Sequence, residues 1–274
     1  GVELVDVTGA DDPRRHHAIQ RRIGRVGGPR RLVDQDVGHT DVAQRRGEQI
    51  RFPHTAGRYA VTGSVTMTTP FIGTVFTPAH DPTRLPAAVR AAEAAELDEF
   101  WLWEDCFSHG GLTTAAVALA STTRIRVGLG LMPAPLRSVA LTAMEVASLH
   151  RLFPGRFVPG VGHGVQRWME QVGSRAASPM TLLDEYHAAL RALLAGDEVT
   201  VDGRYVRLNA VRLQYPVPGA PLMVGGEGPR TVRFAAARSD GTLLSAALTD
   251  DRLRAACAEV RDAASTDDHP IVAP

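Results

Sequence analysis

From residue 71 onward, short apolar runs alternate with stretches of helical spacing. The clearest runs are residues 71–76, 99–103, 124–131 and 156–161. They read as buried strands, because a parallel strand covered on both faces is nearly continuous in apolar and small residues. Between the runs, apolar residues recur every three or four positions, as amphipathic helices require. This order of strand then helix predicts a parallel α/β fold.

Seven strands are legible in this pattern. We predict strands at 71–76, 99–103, 124–131, 156–161, 221–224, 242–245 and 269–273, with helices over 83–97, 113–121, 138–154, 178–196 and 250–264. A TIM barrel has eight strands, so we predict an α/β fold of the TIM (β/α)8 type that lacks its last strand and helix.

Local signals set several boundaries of these elements. Pro133 and Pro135 are expected to end the third strand, and Ser138 and Ser178 to cap the helices that follow them. Residues 199–208 predict an inserted hairpin with a two-residue turn at Asp202-Gly203.

The first 66 residues lack the pattern. They contain paired arginines but no methionine, tryptophan or cysteine, and Met67 is the first methionine of the chain. Such a segment has little to bury. We therefore expect 1–66 to be an unstructured or non-native extension and 67–274 to be the barrel domain. A basic arm that binds a nucleic acid or a partner is the alternative.

Composition excludes several classes of function. The chain has 274 residues, a formal net charge of zero and a pI near 7.3, which disfavours nucleic-acid and anionic-membrane binding. It contains no lysine, which excludes Schiff-base and P-loop chemistry. Cys106 and Cys257, its two cysteines, give no disulfide framework and favour the cytoplasm.

Candidate chemistry follows the strands, because parallel strands bring their carboxyl ends to one edge of the sheet. The catalytic candidates are His80, Glu104, Asp105, His109 and His163. The cofactor-binding candidates are Gly130, Leu131, Gly162, His163, Gly164, Val165, Gln166, Gly225, Gly226, Glu227, Gly228 and Pro229. Tight turns are the alternative explanation of each glycine cluster. The last cluster opens a helix, where free backbone N–H groups suit a phosphate. Histidine spacing gives no compact metal site, so no metal is expected.

Three segments also carry a family resemblance: DEFWLWEDCF at 98–107, residues 124–168, and PLMVGGEGPRT at 221–231. Together they resemble the luciferase-like monooxygenase superfamily, which contains FMN-dependent and F420-dependent oxidoreductases. The resemblance implies a TIM barrel in which the loops after strands four and five hold the cofactor phosphate. It also implies a cis peptide at Gly130–Leu131. Cys106 departs from the histidine that follows the strand-two aspartate in F420-dependent sugar-phosphate dehydrogenases of this superfamily.

The resemblance thus implies an oxidoreductase that binds F420 or FMN non-covalently and transfers hydride, or activates O2, on a small organic substrate. The GVGHG loop at 160–164 favours F420, through its resemblance to the methylene-tetrahydromethanopterin reductase branch. Two alternatives are a non-catalytic partial barrel and a phosphate-binding isomerase with Glu104 as base. A homodimer is left open, and no nucleic acid or membrane is expected as a partner.

Overall fold

Seven parallel strands form one curled sheet in this protein. The computed structural model describes residues 71–273 except Ala247 and Asp267, and every statement below refers to these residues. The strands are β1 (Gly73–Phe76), β2 (Glu99–Leu102), β3 (Arg126–Pro133), β4 (Phe157–Gly162), β5 (Val199–Asp202), β6 (Arg207–Val211), β7 (Met223–Gly225), β8 (Thr242–Leu243) and β9 (Ile271–Val272). The sheet order is β1-β2-β3-β4-β7-β8-β9, while β5 and β6 form a separate antiparallel hairpin.

Helices connect consecutive strands of the sheet. They are α1 (Leu85–Ala94), α2 (Gly111–Ala120), α3 (Val139–Leu152), α4 (Gln166–Gln171), α5 (Pro179–Ala195), α6 (Pro229–Arg238) and α7 (Asp250–Ala263). Their apolar stripes and one face of the sheet bury a common core, whose largest side chains include Phe100, Phe157 and Leu190. Burial on this scale is the main stabilising contribution to such a domain. No helix among the described residues is both long and apolar enough to cross a membrane.

Large side chains pack directly on glycines on the other face of the sheet. Trp101 and Leu243 belong to a buried cluster on this face, and Leu131 packs against it. The Trp101 indole occupies the space that a Cβ on Gly128 would take, and Leu243 does the same at Gly160. Close packing in protein interiors leaves no room for both groups. The strand glycines therefore leave the space that these large side chains fill inside the curled sheet.

A carboxylate on α5 holds the hairpin of β5 and β6. Glu185 accepts hydrogen bonds from the backbone N–H groups of Arg204, Tyr205 and Val206 at 3.0, 2.8 and 3.0 Å. Asp202 pairs with Arg207, so four residues join the strands, and the expected two-residue turn at Asp202-Gly203 is wrong. The three N–H bonds to Glu185 fix this longer loop, and a local turn signal cannot reveal them.

The structure confirms the parallel α/β fold and all seven strands of the sheet, with boundaries shifted by at most two residues. Strand β3 ends at Pro133, which pairs with Gly162 at the end of β4, two residues beyond the expected boundary. The expected capping bonds of two serines are wrong. Ser138 and Ser178 occupy the residues before α3 and α5 but make no side-chain capping bond to the helix backbone. The expectation for residues 1–66 lies outside the described residues.

Two buried histidines predict how stability depends on pH. Burial lowers the pKa of His150 to about 4, and burial together with Arg191 lowers the pKa of His187 to about 4. The unfolded chain, with histidine pKa values near 6.5, therefore takes up protons first as the pH falls. We expect the free energy of unfolding to decrease from about pH 6.5 to about pH 4, by up to about 3 kcal/mol per histidine.

Urea unfolding of His187→Phe at several pH values checks this expectation. The variant keeps the aromatic contact with Phe234, whose ring centroid lies 5.7 Å from that of His187, and removes the titrating group. Its stability should change less between pH 6.5 and 5 than that of the wild type. That window lies above the range in which Glu93 and Glu185, whose pKa values are lowered by backbone hydrogen bonds that outweigh burial, are protonated. Equal slopes in the two proteins would contradict the assignment.

Candidate functional site

The carboxyl ends of β2, β3, β4, β7 and β8 surround a cavity of about 670 Å³. Its walls are mostly apolar and glycine-rich, with a few polar groups directed inward. The lining residues are Trp103, Glu104, Asp105, Gly130, Leu131, Pro133, His163, Gly164, Val165, Gln166, Trp168, Gly225, Gly226, Glu227, Gly228, Thr231, Leu243, Leu244, Ser245 and Ala246. A concave, largely apolar site of this size fits a cofactor or a small organic molecule.

A bulge in β3 forms the middle of the cavity wall. The register between β3 and β4 shifts between Leu129 and Met132, and the Gly130–Leu131 peptide is cis, as the sequence led us to expect. The Leu131 Cδ2 atom lies 2.7 and 2.8 Å from where a Cβ on Gly162 or Gly225 would stand. Leu131 therefore rests on these two glycines, which gives both of them a packing role.

Hydrogen bonds fix His163 in the cavity wall. Its Nδ1 lies 3.0 Å from the Gly164 carbonyl oxygen, and its Nε2 lies 3.3 Å from Thr231 Oγ1. A carbonyl oxygen only accepts, so this arrangement assigns the proton to Nδ1. The Gln166 amide donates to the carbonyl oxygens of His163 and Gly164 at 3.2 and 3.3 Å. The buried Oε1 of Gln166 has no hydrogen-bond partner among the described residues.

Glu104 forms a two-bond ion pair with Arg137, which follows β3. Arg137 Nη1 lies 2.9 Å from Glu104 Oε2, and Nη2 lies 2.8 Å from Oε1. The two side chains are 9% and 16% exposed. Burial lowers the pKa of Arg137, but its hydrogen bonds to Glu104 and the Glu104 charge outweigh burial, so the pKa is raised. Both carboxylate oxygens of Glu104 are engaged by Arg137, so neither is free to contact a substrate proton.

Asp105 and Cys106 follow Glu104 in the same loop but differ in their surroundings. Burial raises the pKa of the Asp105 carboxyl, and the nearby His109 opposes that rise. Burial and the charges of Glu104 and Asp105 raise the pKa of the Cys106 thiol. A raised thiol pKa disfavours the nucleophilic thiolate, so Cys106 is a poor nucleophile here.

Helix α6 presents its N-terminus to the cavity through the Gly-Gly-Glu-Gly-Pro segment. Gly226 N–H donates to the Leu243 carbonyl oxygen at 3.3 Å, and a Cβ on Gly226 would stand 2.6 Å from Thr231 Cγ2. Gly228 has φ −81° and ψ 147°, and a Cβ added to it would meet nothing within 4 Å. Packing thus explains Gly226. Gly228 is the N-cap residue of α6, and no neighbouring side chain requires a glycine there.

The cavity brings together most of the sequence candidates but not all of them. Glu104, Asp105, His163 and most of the glycine-loop candidates line it; Gly162 and Pro229 do not, and Gly162 lies under Leu131. His80 and His109 also do not line it. Their rings stand 5.3 and 6.1 Å from the ring of Phe76. Both histidines therefore lie beside Phe76 and outside the cavity wall.

Local sequence patterns do not single out Thr231 and Ser245, which line the cavity, or Arg137, which lies behind its wall. Thr231 faces His163 from the first turn of α6, and Ser245 Oγ donates to Glu227 Oε1 at 2.8 Å. Arg137 holds Glu104 although 33 residues separate them. The GGEGPRT segment was the one signal that pointed toward Thr231. Among the described residues, no group of three or more His, Cys, Asp or Glu residues could hold a metal ion.

Comparison with known proteins relates this site to one family. A family model described as luciferase-like monooxygenase matches residues 62–273. A 5,10-methylenetetrahydromethanopterin reductase from Methanolobus tindarius is 28% identical over 65% of this chain and 55% of its own length. An F420-dependent glucose-6-phosphate dehydrogenase from Nocardia farcinica is 31% identical over 59% of this chain and 52% of its own length. The chain thus spans about half the length of these relatives.

Solved structures show the same fold at lower sequence identity. The coenzyme F420-dependent tetrahydromethanopterin reductase from Methanopyrus kandleri aligns with a TM-score of 0.65 at 19% identity, covering 74% of this chain and 64% of that one. The oxygenating constituent of 3,6-diketocamphane monooxygenase from Pseudomonas putida, in complex with FMN, aligns with a TM-score of 0.62 at 15% identity, covering 73% and 64%. The relatives and neighbours therefore include both F420-dependent and FMN-binding proteins.

The Glu104–Arg137 pair predicts a specific loss of stability. Arg137→Gln should lower the free energy of unfolding by about 3 kcal/mol or more, because it leaves a buried carboxylate without its partner. Arg254→Gln is the matched control, since Arg254 is 73% exposed and pairs with the exposed Asp251 at 2.9 Å. Its loss should stay within about 1 kcal/mol. Urea unfolding at neutral pH measures both, and equal losses would show that the cavity-wall pair is solvated.

Proposed function

The chain belongs to the luciferase-like monooxygenase family, and on that premise we propose that its cavity binds F420 or FMN non-covalently for redox chemistry on a small organic substrate. The proposed cofactor site lies at the ends of β3, β4 and β7. The residues proposed to bind it are those of the β3 bulge, the loop at 162–166 and the segment at 225–229.

Gly228 is the observation that carries this proposal. The other glycines of the wall have a packing or conformational reason: Gly162 and Gly225 lie under Leu131, Gly226 faces Thr231, and Gly164 has a φ of +70°. Gly228 has none of these, yet it borders the cavity at the N-terminus of a ten-residue helix. A glycine there gives a ligand close access to the backbone. Helix N-termini favour anions, and a phosphate fits this position.

The rest of the cavity wall is consistent with a planar ring beside the phosphate site. Leu131 and the β3 bulge offer an apolar surface in the middle of the cavity, and His163 stands between that surface and Thr231. We propose that the bulge supports one face of the ring and that the loop at 162–166 contacts the chain between ring and phosphate. The unpartnered Gln166 Oε1 is an acceptor available to a hydroxyl of that chain.

Either cofactor, when bound, exchanges a hydride equivalent at its ring, and reduced FMN can also react with O2. The residues of this chain supply binding, orientation and exclusion of water. The proton of His163 is assigned to Nδ1, so the lone pair of Nε2 faces Thr231. Nε2 is therefore the atom of His163 that can accept a proton. Asp105 borders the opposite part of the cavity and is a second candidate for proton transfer. His80 and His109 are withdrawn from this role because they do not line the cavity.

We favour F420 over FMN as the cofactor. The Nocardia farcinica relative is named as F420-dependent. The Methanolobus tindarius relative is a methylenetetrahydromethanopterin reductase, and the solved tetrahydromethanopterin reductase from Methanopyrus kandleri is named as coenzyme F420-dependent. The GVGHG loop supports the same choice.

The two alternative functions have weaker support. An isomerase would use Glu104 as its general base, but Arg137 occupies both carboxylate oxygens of Glu104 through hydrogen bonds of 2.8 and 2.9 Å. A non-catalytic partial barrel is the outcome if neither cofactor binds.

Gly228→Val tests the phosphate site. The valine has room, so the fold should persist while its side chain blocks the approach of a phosphate to the N–H groups of this turn. We expect F420 or FMN to bind at least about tenfold more weakly, equivalent to about 1.4 kcal/mol. Titration of each cofactor separately, followed by fluorescence, measures the affinity and also decides between the two.

Gly110→Val is the matched control. Gly110 precedes α2 with φ −71° and ψ 129°, and a Cβ there would meet only Thr113 Oγ1 at 3.7 Å. It does not line the cavity. This variant should bind the cofactor as the wild type does. Unchanged affinity in Gly228→Val would move the phosphate elsewhere, and failure of the wild type to bind either cofactor would remove the proposal.

A further inference from the structure

Three carboxylates line the cavity. Glu104 and Asp105 stand at the end of β2, whereas Glu227, which accepts a hydrogen bond from Ser245, lies in the turn between β7 and the N-terminus of α6. Strands β3 and β4 lie between β2 and β7 in the sheet. Adjacent strands are about 4.8 Å apart, so the two ends of the cavity are on the order of 14 Å apart along the sheet. The N-terminus of α6, proposed above to bind the cofactor phosphate, is thus separated from the two carboxylates at the end of β2.

Asp105 dominates the charge of the β2 side of the cavity. Arg137 neutralises Glu104 through two hydrogen bonds. The Asp105 carboxylate forms no ion pair within the described part of the chain, although the charge of nearby His109 opposes the rise of its pKa on burial. No arginine from that part lines the cavity. The sequence contains no lysine that could supply a cation from elsewhere. Trp103 is the large apolar surface beside these groups.

We propose that the β2 side of the cavity is a substrate subsite that accepts uncharged or cationic apolar molecules and excludes phosphorylated or carboxylated ones, with Asp105 as the residue that sets this preference. The proposal rests on the proposed function, because it assigns the β7 side to the cofactor and leaves the β2 side for the substrate.

Electrostatics in a partly buried site supports this preference. Like charges repel more strongly near a protein surface than in bulk water, and an anion that enters the cavity also loses hydration without gaining a cation. The Asp105 carboxylate can instead accept a hydrogen bond from a hydroxyl or ammonium group, while the Trp103 indole covers apolar carbon or a cation. This chain should therefore not use a sugar phosphate, the type of substrate named for one of its relatives.

Charged collisional quenchers test the preference without any cofactor. Trp168→Phe leaves Trp103 as the accessible indole, because Trp101 is 6% exposed. Quenching of this variant by caesium and by iodide is compared at neutral pH and equal ionic strength, each relative to quenching of N-acetyltryptophanamide. Caesium should quench Trp103 at least about threefold more effectively than iodide on this relative scale.

Asp105→Asn, an isosteric change, should bring the caesium-to-iodide ratio close to one in the same background. Asp202→Asn is the control, because it removes the same charge from a side chain that is 91% exposed in the hairpin. That variant should leave the ratio unchanged. Iodide quenching as effective as caesium in the starting protein, or a ratio that Asp105→Asn does not alter, would overturn the proposal.

The outcome is independent of the cofactor titration. A caesium preference with no cofactor binding would retain the acidic subsite and remove the proposed function. Cofactor binding without a caesium preference would retain the proposed function and remove the subsite.

Discussion

Large side chains that pack directly on strand glycines determine how the interior of the curled sheet is filled and where the cavity lies. The Trp101 indole fills the space above Gly128, Leu243 fills that above Gly160, and Leu131 covers Gly162 and Gly225. These contacts allow the interior of the curled sheet to be filled by a few side chains drawn from separate strands. They also place Leu131 at the floor of the cavity. Most of the glycines that first suggest a ligand site are therefore required by packing, which makes the open position of Gly228 more informative.

The same geometry separates the charges of the cavity. The β3 bulge with Leu131 lies between the end of β2 and the end of β7, so the Glu104–Arg137 pair and Asp105 are kept apart from the N-terminus of α6. A single wall can then favour an anion on one side and disfavour it on the other. This separation suits an enzyme that holds an anionic cofactor and a substrate of different charge in one cavity.

Sequence periodicity was sufficient for elements whose packing follows their own pattern. Every position of β2 is buried, as its continuous apolar run predicts. Gly196, with a φ of 100°, follows the last residue of α5, as the sequence also predicts. Helix α4 was missed because its six residues are too few to show a period. The hairpin turn was wrong because Glu185, outside the hairpin, holds its backbone. In the site, Arg137 contacts Glu104 and Ser245 contacts Glu227, and both partners are distant in the sequence. A local sequence pattern cannot predict such contacts.

A crystal structure of the protein with F420 or FMN would locate the cofactor. We expect the cofactor phosphate within hydrogen-bond distance of the backbone N–H of Gly228, with the ring against Leu131 and Asp105 facing the space left for substrate. A phosphate held at any other loop, with the Gly228 turn facing solvent, would show that the proposed cofactor site is wrong.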